Sequence, residues 1–145
     1  MRTLTKAEAQ KWCQTHGAAL GHGGFPDPKG ETNSFAIPTD AGERVALVAE
    51  HLKAFANGTT LVWFDDWSVW PSAQRMHIFE RFRASYGETR PLIEAPAFLF
   101  ADQEYEDLVS FVTLGVLFLW DVHLVGANDA RQLVYSHDEV GWIDA

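Results

Sequence analysis

The sequence is short of cysteine, of long apolar runs and of basic residues. Its 145 residues include one cysteine, Cys13, so no internal disulfide can form and cysteine-rich zinc sites are excluded. The most apolar run, Val116–Leu119, is far shorter than the roughly 20 residues that a bilayer-spanning helix needs. No positively charged start leads into an apolar stretch, so we expect no signal peptide, no membrane association and a cytoplasmic protein.

The shortage of basic residues is most marked in the last third of the chain. The whole sequence has 11 Lys and Arg against 20 Asp and Glu, for a formal net charge of −9. Residues 101–145 hold one of the basic residues, Arg131, and nine of the acidic ones. Because acidic and apolar residues alternate there, we expect a folded acidic face, which attracts a basic protein and repels nucleic acid.

Length and periodicity indicate one α+β domain over residues 1–145. Thr5 and Glu8 have the spacing of a helix capping box, and Val45, Val48 and Leu52 recur at helical spacing. We predict a mixed, mainly antiparallel sheet of about four or five strands packed against about four helices and ending in a β-hairpin. The expected helices cover about residues 6–16, 42–56, 71–86 and 102–115, and the expected strands about 34–37, 59–65, 97–101, 116–125 and 131–137.

An aromatic and acidic segment follows the predicted strand at residues 59–65. Trp67 and Trp70 lie just beyond Asp65 and Asp66, at a strand end of the kind that often carries a site. Tryptophan contributes strongly to protein–protein binding, so Trp67 and Trp70 are candidate partner contacts. The alternative is that they cover the core. Asp65 and Asp66 point to opposite faces if both are in the strand, which predicts no paired-carboxylate site.

Two polar residues interrupt the apolar strand predicted at residues 116–125. Asp121 and His123 are two residues apart and share one face of that strand. A five-residue turn would place Asp121 opposite Tyr135 and bring His137 close, which gives a possible metal site of Asp121, His123 and His137. A four-residue turn would point His137 away. The alternative is a hydrogen-bonded structural group without metal.

The end of the chain resembles that of small acidic bacterial proteins, some of them immunity proteins of toxin systems. The resemblance covers the segments 119–124 and 133–139, and it implies a non-enzymatic inhibitor that covers the active site of a toxin. Independently of it, Asp138 and Glu139 present charge beside Trp142, so these three residues are candidate partner contacts. Ser136, His137 and Asp138 have the residue types of a catalytic triad, but adjacent strand residues point to opposite faces.

These observations favour a non-enzymatic acidic module that binds a basic protein, with an immunity protein as one form of it. A small metal-dependent enzyme or metal-binding protein is the alternative, and a structural subunit of a homo-oligomer is a further one. The glycine-rich stretch at residues 17–24 lacks the Gly-Lys-Ser/Thr ending of a phosphate loop. We therefore expect no cofactor, with a metal ion as the one possible exception.

Overall fold

A computed structural model of the chain describes residues 1–28, 32–67 and 76–144. These residues form seven β-strands and four α-helices. The strands are β1 (Arg2–Leu4), β2 (Thr32–Ala36), β3 (Thr60–Asp65), β4 (Ala97–Phe100), β5 (Asp121–Gly126), β6 (Gln132–Tyr135) and β7 (Val140–Asp144). The helices are α1 (Lys6–Thr15), α2 (Ala41–Leu52), α3 (His77–Ser85) and α4 (Tyr105–Leu117).

All seven strands belong to one sheet in the order β1-β4-β3-β5-β6-β7-β2. Every described strand pair is antiparallel, so the predicted α+β class is confirmed but the sheet is not mixed. The prediction of four or five strands was too low, because it omitted the short β1 and the last strand, β7. The predicted hairpin of β5 and β6 is present, but it is not the last element: β7 follows it, pairs with β6 and is bordered by β2.

The two faces of the sheet carry separate cores. Alternation along β3 shows the division: Val62 and Phe64 face the larger core, whereas Leu61 and Trp63 face the smaller one. Residues of α2, α3 and α4 complete the larger core, including Val48, Phe79 and Phe111. Residues of α1 and of the loop after it complete the smaller core, which contains Ala9, Cys13 and Ala18.

Helix α4 extends beyond the point at which the sequence pattern ends it. Gly115 was expected to stop the helix and Val116 to begin a strand, but the helix continues to Leu117 and β5 begins at Asp121. Gly115 is buried, and its missing side chain leaves room for the Phe64 ring of β3. Glycine here allows close packing of a helix on a sheet, and Leu119, with a φ of 54°, makes the turn instead.

The other helices agree with the prediction where the structure describes them. The side chain of Thr5 accepts a hydrogen bond from the Glu8 backbone N–H, and the Glu8 carboxylate accepts one from the Thr5 backbone, which confirms the capping box of α1. The helix expected over residues 71–86 is described from His77 onward, and Trp70 and Pro71 lie outside the described residues. No helix among the described residues is long and apolar enough to cross a membrane.

Candidate functional site at the acidic end of the sheet

Four carboxylates and one imidazole gather where β3 ends and β5 begins. Asp65 closes β3, Asp121 opens β5, and the two are direct partners in the antiparallel ladder. Asp66 follows with a left-handed φ of 43°, which turns the chain at the edge of the sheet. His137 and Asp138 approach from the turn after β6. We call the group Asp65, Asp66, Asp121, His137 and Asp138 the acidic end.

The pair Asp121 and His137 lies at the centre of this group. Asp121 Oδ1 accepts a hydrogen bond of 2.6 Å from the backbone N–H of His137 and lies 2.8 Å from Nδ1 of the same residue. Partial burial lowers the pKa of His137, but the hydrogen bond and the charge of Asp121 outweigh it, so the pKa is raised above its ordinary value. The pair therefore holds a proton more readily than a free imidazole does.

This contact arises from a strand register that sequence reasoning did not consider. Val125 pairs with Gln132 rather than with Arg131 or Ala130, and Val122 pairs with Tyr135, so the register differs from both of those considered for the sequence. Asp121 therefore does not lie opposite Tyr135, which is the arrangement that the predicted metal site assumed. His137 still reaches Asp121, because β6 stops at Tyr135 and the following turn folds back over the start of β5.

His123, the third residue of the predicted metal site, has a different environment. Its Nδ1 lies 2.7 Å from the backbone oxygen of Pro26, and its ring stacks against Phe25 with 5.7 Å between the ring centroids. Burial lowers the pKa of His123, although the Pro26 carbonyl and the nearby Asp121 act in the opposite direction. His123 therefore contacts the loop after α1 and is not part of the Asp121–His137 pair.

Asp66 takes the place that was predicted for His123. Ligand atoms of Asp66, Asp121 and His137 all lie within 4.8 Å of one another. The expectation that Asp65 and Asp66 point apart was based on a strand containing both, but the strand ends between them. Two carboxylates and one imidazole are donors that Zn²⁺ or Mn²⁺ accepts, so this group has the composition of a small metal site.

The acidic end carries more negative charge than its described neighbours neutralise. No described Lys or Arg is within ion-pair distance of Asp65, Asp66, Asp121 or Asp138; His137, 3.6 Å from Asp138, is the basic group beside them. Burial raises the pKa of Asp65, and the like charges of Asp66 and Asp121 raise it further, against opposing effects of the Asp66 backbone and His123. A cation brought to this group would relieve the repulsion.

The predicted partner contacts are distributed over several places. Trp67 is partly buried at the edge of the larger core, next to the acidic end, and Asp138 is exposed. Glu139 is exposed on the other side of the turn, where its carboxylate lies 3.6 Å from Arg44 of α2. Trp142 lies on β7 and pairs with Val134 of β6. Among the described candidates, Asp138 thus belongs to the acidic end, Trp67 directly follows Asp66, Glu139 lies beside Arg44, and Trp142 lies within the sheet.

A pocket opens beside Asp65. Its volume is about 240 Å³, and besides Asp65 and Trp67 its lining includes residues that the sequence did not single out, among them Phe25 and Ile93. Ile93 is 75 % exposed. In the sequence it lies between Pro91 and Pro96, which indicate an irregular or edge segment.

No protein-family model matches the chain, and neither a curated protein nor a solved structure shows significant similarity to it. The chemistry of the acidic end and its pocket is therefore interpreted from their own residues. The resemblance to immunity proteins stays a prediction.

Proposed function

We propose that the chain is a non-enzymatic module that binds a basic protein through the acidic end of the sheet. The observation that supports this proposal is the concentration of carboxylates at one end, at Asp65, Asp66, Asp121 and Asp138, without a described Lys or Arg beside them. A net charge of −9 extends the attraction beyond direct contact and speeds the capture of a basic partner.

The finer form of the proposal is a toxin-neutralising protein. Toxins that act on nucleic acids are often basic proteins, and an acidic surface can dock on such a toxin and cover its active site. The resemblance of the segments 119–124 and 133–139 to immunity proteins supports the same form. In that case the captured partner loses its enzymatic activity when it is mixed with an equimolar amount of the chain.

The test is a capture experiment with matched charge variants. The tagged chain is incubated at low and at high salt with a lysate of the organism that encodes it, and the captured proteins are identified by mass spectrometry. A basic protein released by salt is then purified and its binding is measured by calorimetry. Asp66→Asn with Asp138→Asn removes two charges from the acidic end, while Glu50→Gln with Glu106→Gln removes two from the helical side.

We expect a stoichiometric complex whose Kd rises at least tenfold in the Asp66→Asn, Asp138→Asn variant and changes less than threefold in the control variant. Equal weakening in both variants would mean that net charge alone attracts the partner and that the acidic end is not the contact. Failure to capture any basic protein at either salt concentration would contradict the proposal as a whole.

A second candidate function, divalent metal binding, is favoured by one specific observation. The ligand atoms of Asp66, Asp121 and His137 lie within 4.8 Å of one another. Ligands at about 2.0–2.2 Å from a shared Zn²⁺ stand at most about 4.4 Å apart, so small side-chain rotations complete the site.

Calorimetric titration with ZnCl₂ and with MnCl₂ tests the second candidate. We expect one ion per chain, and loss of that binding in His137→Gln. The control is His77→Gln, which removes an exposed histidine at the start of α3. Binding far below one equivalent, or equal binding by the two variants, would exclude the site.

A further inference from the structure

The pocket beside the acidic end combines an apolar wall with one carboxylate. Its apolar lining residues are Phe25, Trp63, Phe64, Trp67, Ile93 and Pro96. Its charged lining residues are Asp65 and Lys6. Trp63 is fully buried and faces the smaller core, against which Phe25 also packs, whereas Ile93 is exposed at the mouth. A ligand in this pocket meets aromatic surface on its body and negative charge at one end.

The carboxylate in the pocket belongs to the same charge cluster as the acidic end. Asp65 lies opposite Asp121 in the ladder and is followed directly by Asp66. The Asp65 side chain is partly buried, and two further acids, Asp66 and Asp121, are its neighbours in the chain and in the ladder. A cationic group that enters the pocket from outside would supply the counter-charge that the described residues do not bring within ion-pair distance.

The wall of the pocket already holds one cation of the chain itself. Lys6 Nζ lies 4.5 Å from the centroid of the Phe25 ring, within the range of a cation–π interaction. This contact shows that the aromatic wall accepts positive charge next to it. It also places a competing charge at the pocket, so Lys6 weakens the binding of any further cation.

We propose that the pocket receives an arginine side chain of the basic partner, with the guanidinium paired to Asp65 and the alkyl stem packed on Trp67 and Ile93. This inference rests on the proposed function, because it names the group by which the partner is held. A guanidinium pairs bidentately with a carboxylate, stacks on aromatic rings and loses less hydration energy than an ammonium group when it is enclosed. The combination of aromatic wall and single carboxylate favours arginine over lysine for those reasons.

The direct test uses a small probe in place of the partner. N-acetyl-argininamide is titrated into ¹⁵N-labelled protein, and the indole and backbone signals of Trp67 and the backbone signal of Asp65 are followed. We expect saturable shifts with a Kd of about 1 mM, which is typical of a ligand of this size. N-acetyl-lysinamide and N-acetyl-leucinamide are the comparison probes, and each should bind at least fivefold more weakly.

Three variants assign the contacts. Asp65→Asn keeps the shape of the side chain and should weaken binding of the arginine probe at least tenfold, while Asp129→Asn, in the turn after β5, should leave it unchanged. Lys6→Met should strengthen binding several-fold, whereas Lys11→Met, farther along α1 and outside the pocket lining, should not. Equal binding of the leucine probe, unchanged binding in Asp65→Asn, or no saturable shift would each overturn the arginine pocket.

The same variants separate this inference from the proposed function. Suppose that Asp66→Asn with Asp138→Asn weakens the binding of a captured basic protein but Asp65→Asn does not. The binding module is then supported and the arginine pocket is wrong. If the arginine probe binds as expected but no basic protein is captured, the pocket stands as a site for arginine and the proposed partner is wrong.

Discussion

Gly115 of α4 lies so close to Phe64 of β3 that a Cβ atom added at Gly115 would stand 2.5 Å from the Phe64 ring. The same atom would stand 2.8 Å from a methyl group of Val122. Both neighbours are fully buried, so neither can move away freely. This contact sets how closely α4 approaches the sheet, and it explains why a glycine stands inside a helix, where it costs about 1 kcal/mol relative to alanine.

Gly115→Ala should therefore destabilise the protein, although helix propensity alone predicts the opposite. We expect a net loss of about 1–3 kcal/mol in the free energy of unfolding, measured by urea denaturation. Ser110→Ala, at an exposed position of the same helix, is the control and should change stability by less than about 0.5 kcal/mol. A Gly115→Ala variant as stable as the wild type would show that the helix has room to shift.

The Asp121–His137 pair predicts a pH-dependent effect on stability. The pKa of His137 is raised in the folded state, so the stabilisation from its protonated form is fully present below about pH 6.5 and is lost as the pH rises through the raised pKa. His137→Gln should thus lower the free energy of unfolding more at about pH 5.5 than at about pH 8.5. Urea denaturation at the two pH values measures the difference.

The control for this prediction is His77→Gln, which removes an exposed histidine at the start of α3. The difference between the two pH values should be larger for His137→Gln than for His77→Gln. A loss in His137→Gln that does not depend on pH would mean that the neutral imidazole makes the contact with Asp121.

Cys13 should be unreactive in the folded protein. The thiol is fully buried in the smaller core, and burial raises its pKa to about 11, so almost no thiolate is present at neutral pH. We expect less than one tenth of the chains to be alkylated by iodoacetamide in an hour at pH 7.5, and complete alkylation in 8 M urea, both measured by mass spectrometry. Fast alkylation without urea would indicate that α1 opens readily.

The capping box of α1 predicts a graded pair of substitutions. Thr5→Ala removes the oxygen that accepts from the Glu8 backbone and should lower the free energy of unfolding by about 1 kcal/mol. Thr5→Ser keeps that oxygen and should change stability by less than half as much. The thermal unfolding midpoint of the two variants gives the comparison, and equal losses would show that the hydroxyl contributes nothing.

The elements that the sequence predicted well are those with short-range signals. The start of α1 depends on Thr5 and Glu8, three residues apart, and the spacing of Val48 and Leu52 places α2 against the core. Strand β3 was predicted to within one residue, because its run of apolar residues is buried on both faces of the sheet. Such signals are visible in the sequence since the interacting groups are close along the chain.

The elements that the sequence did not predict depend on contacts with residues far along the chain. Strand β7 contains Gly141, which weakens any strand signal, yet glycine is required there because the Phe35 ring of β2 covers the position. Strand β1 has three residues and forms by pairing with β4. The extension of α4 through Gly115 was missed for the same reason, because glycine is needed there for the close contact with the Phe64 ring, far along the chain.

The candidate site shows the same division. The residue types that make up the site are visible in the sequence: an excess of carboxylates in the last third of the chain, histidines at positions 123 and 137, and tryptophan beside Asp65 and Asp66. Which of these residues come together depends on the fold. The left-handed turn at Asp66 brought this carboxylate to His137, and the Pro26 carbonyl, 97 residues away, held His123 elsewhere. Packing over the whole sheet sets the strand register and the loop conformations. A one-residue change in register alters every side-chain pairing between two strands, so the local sequence pattern does not determine these pairings.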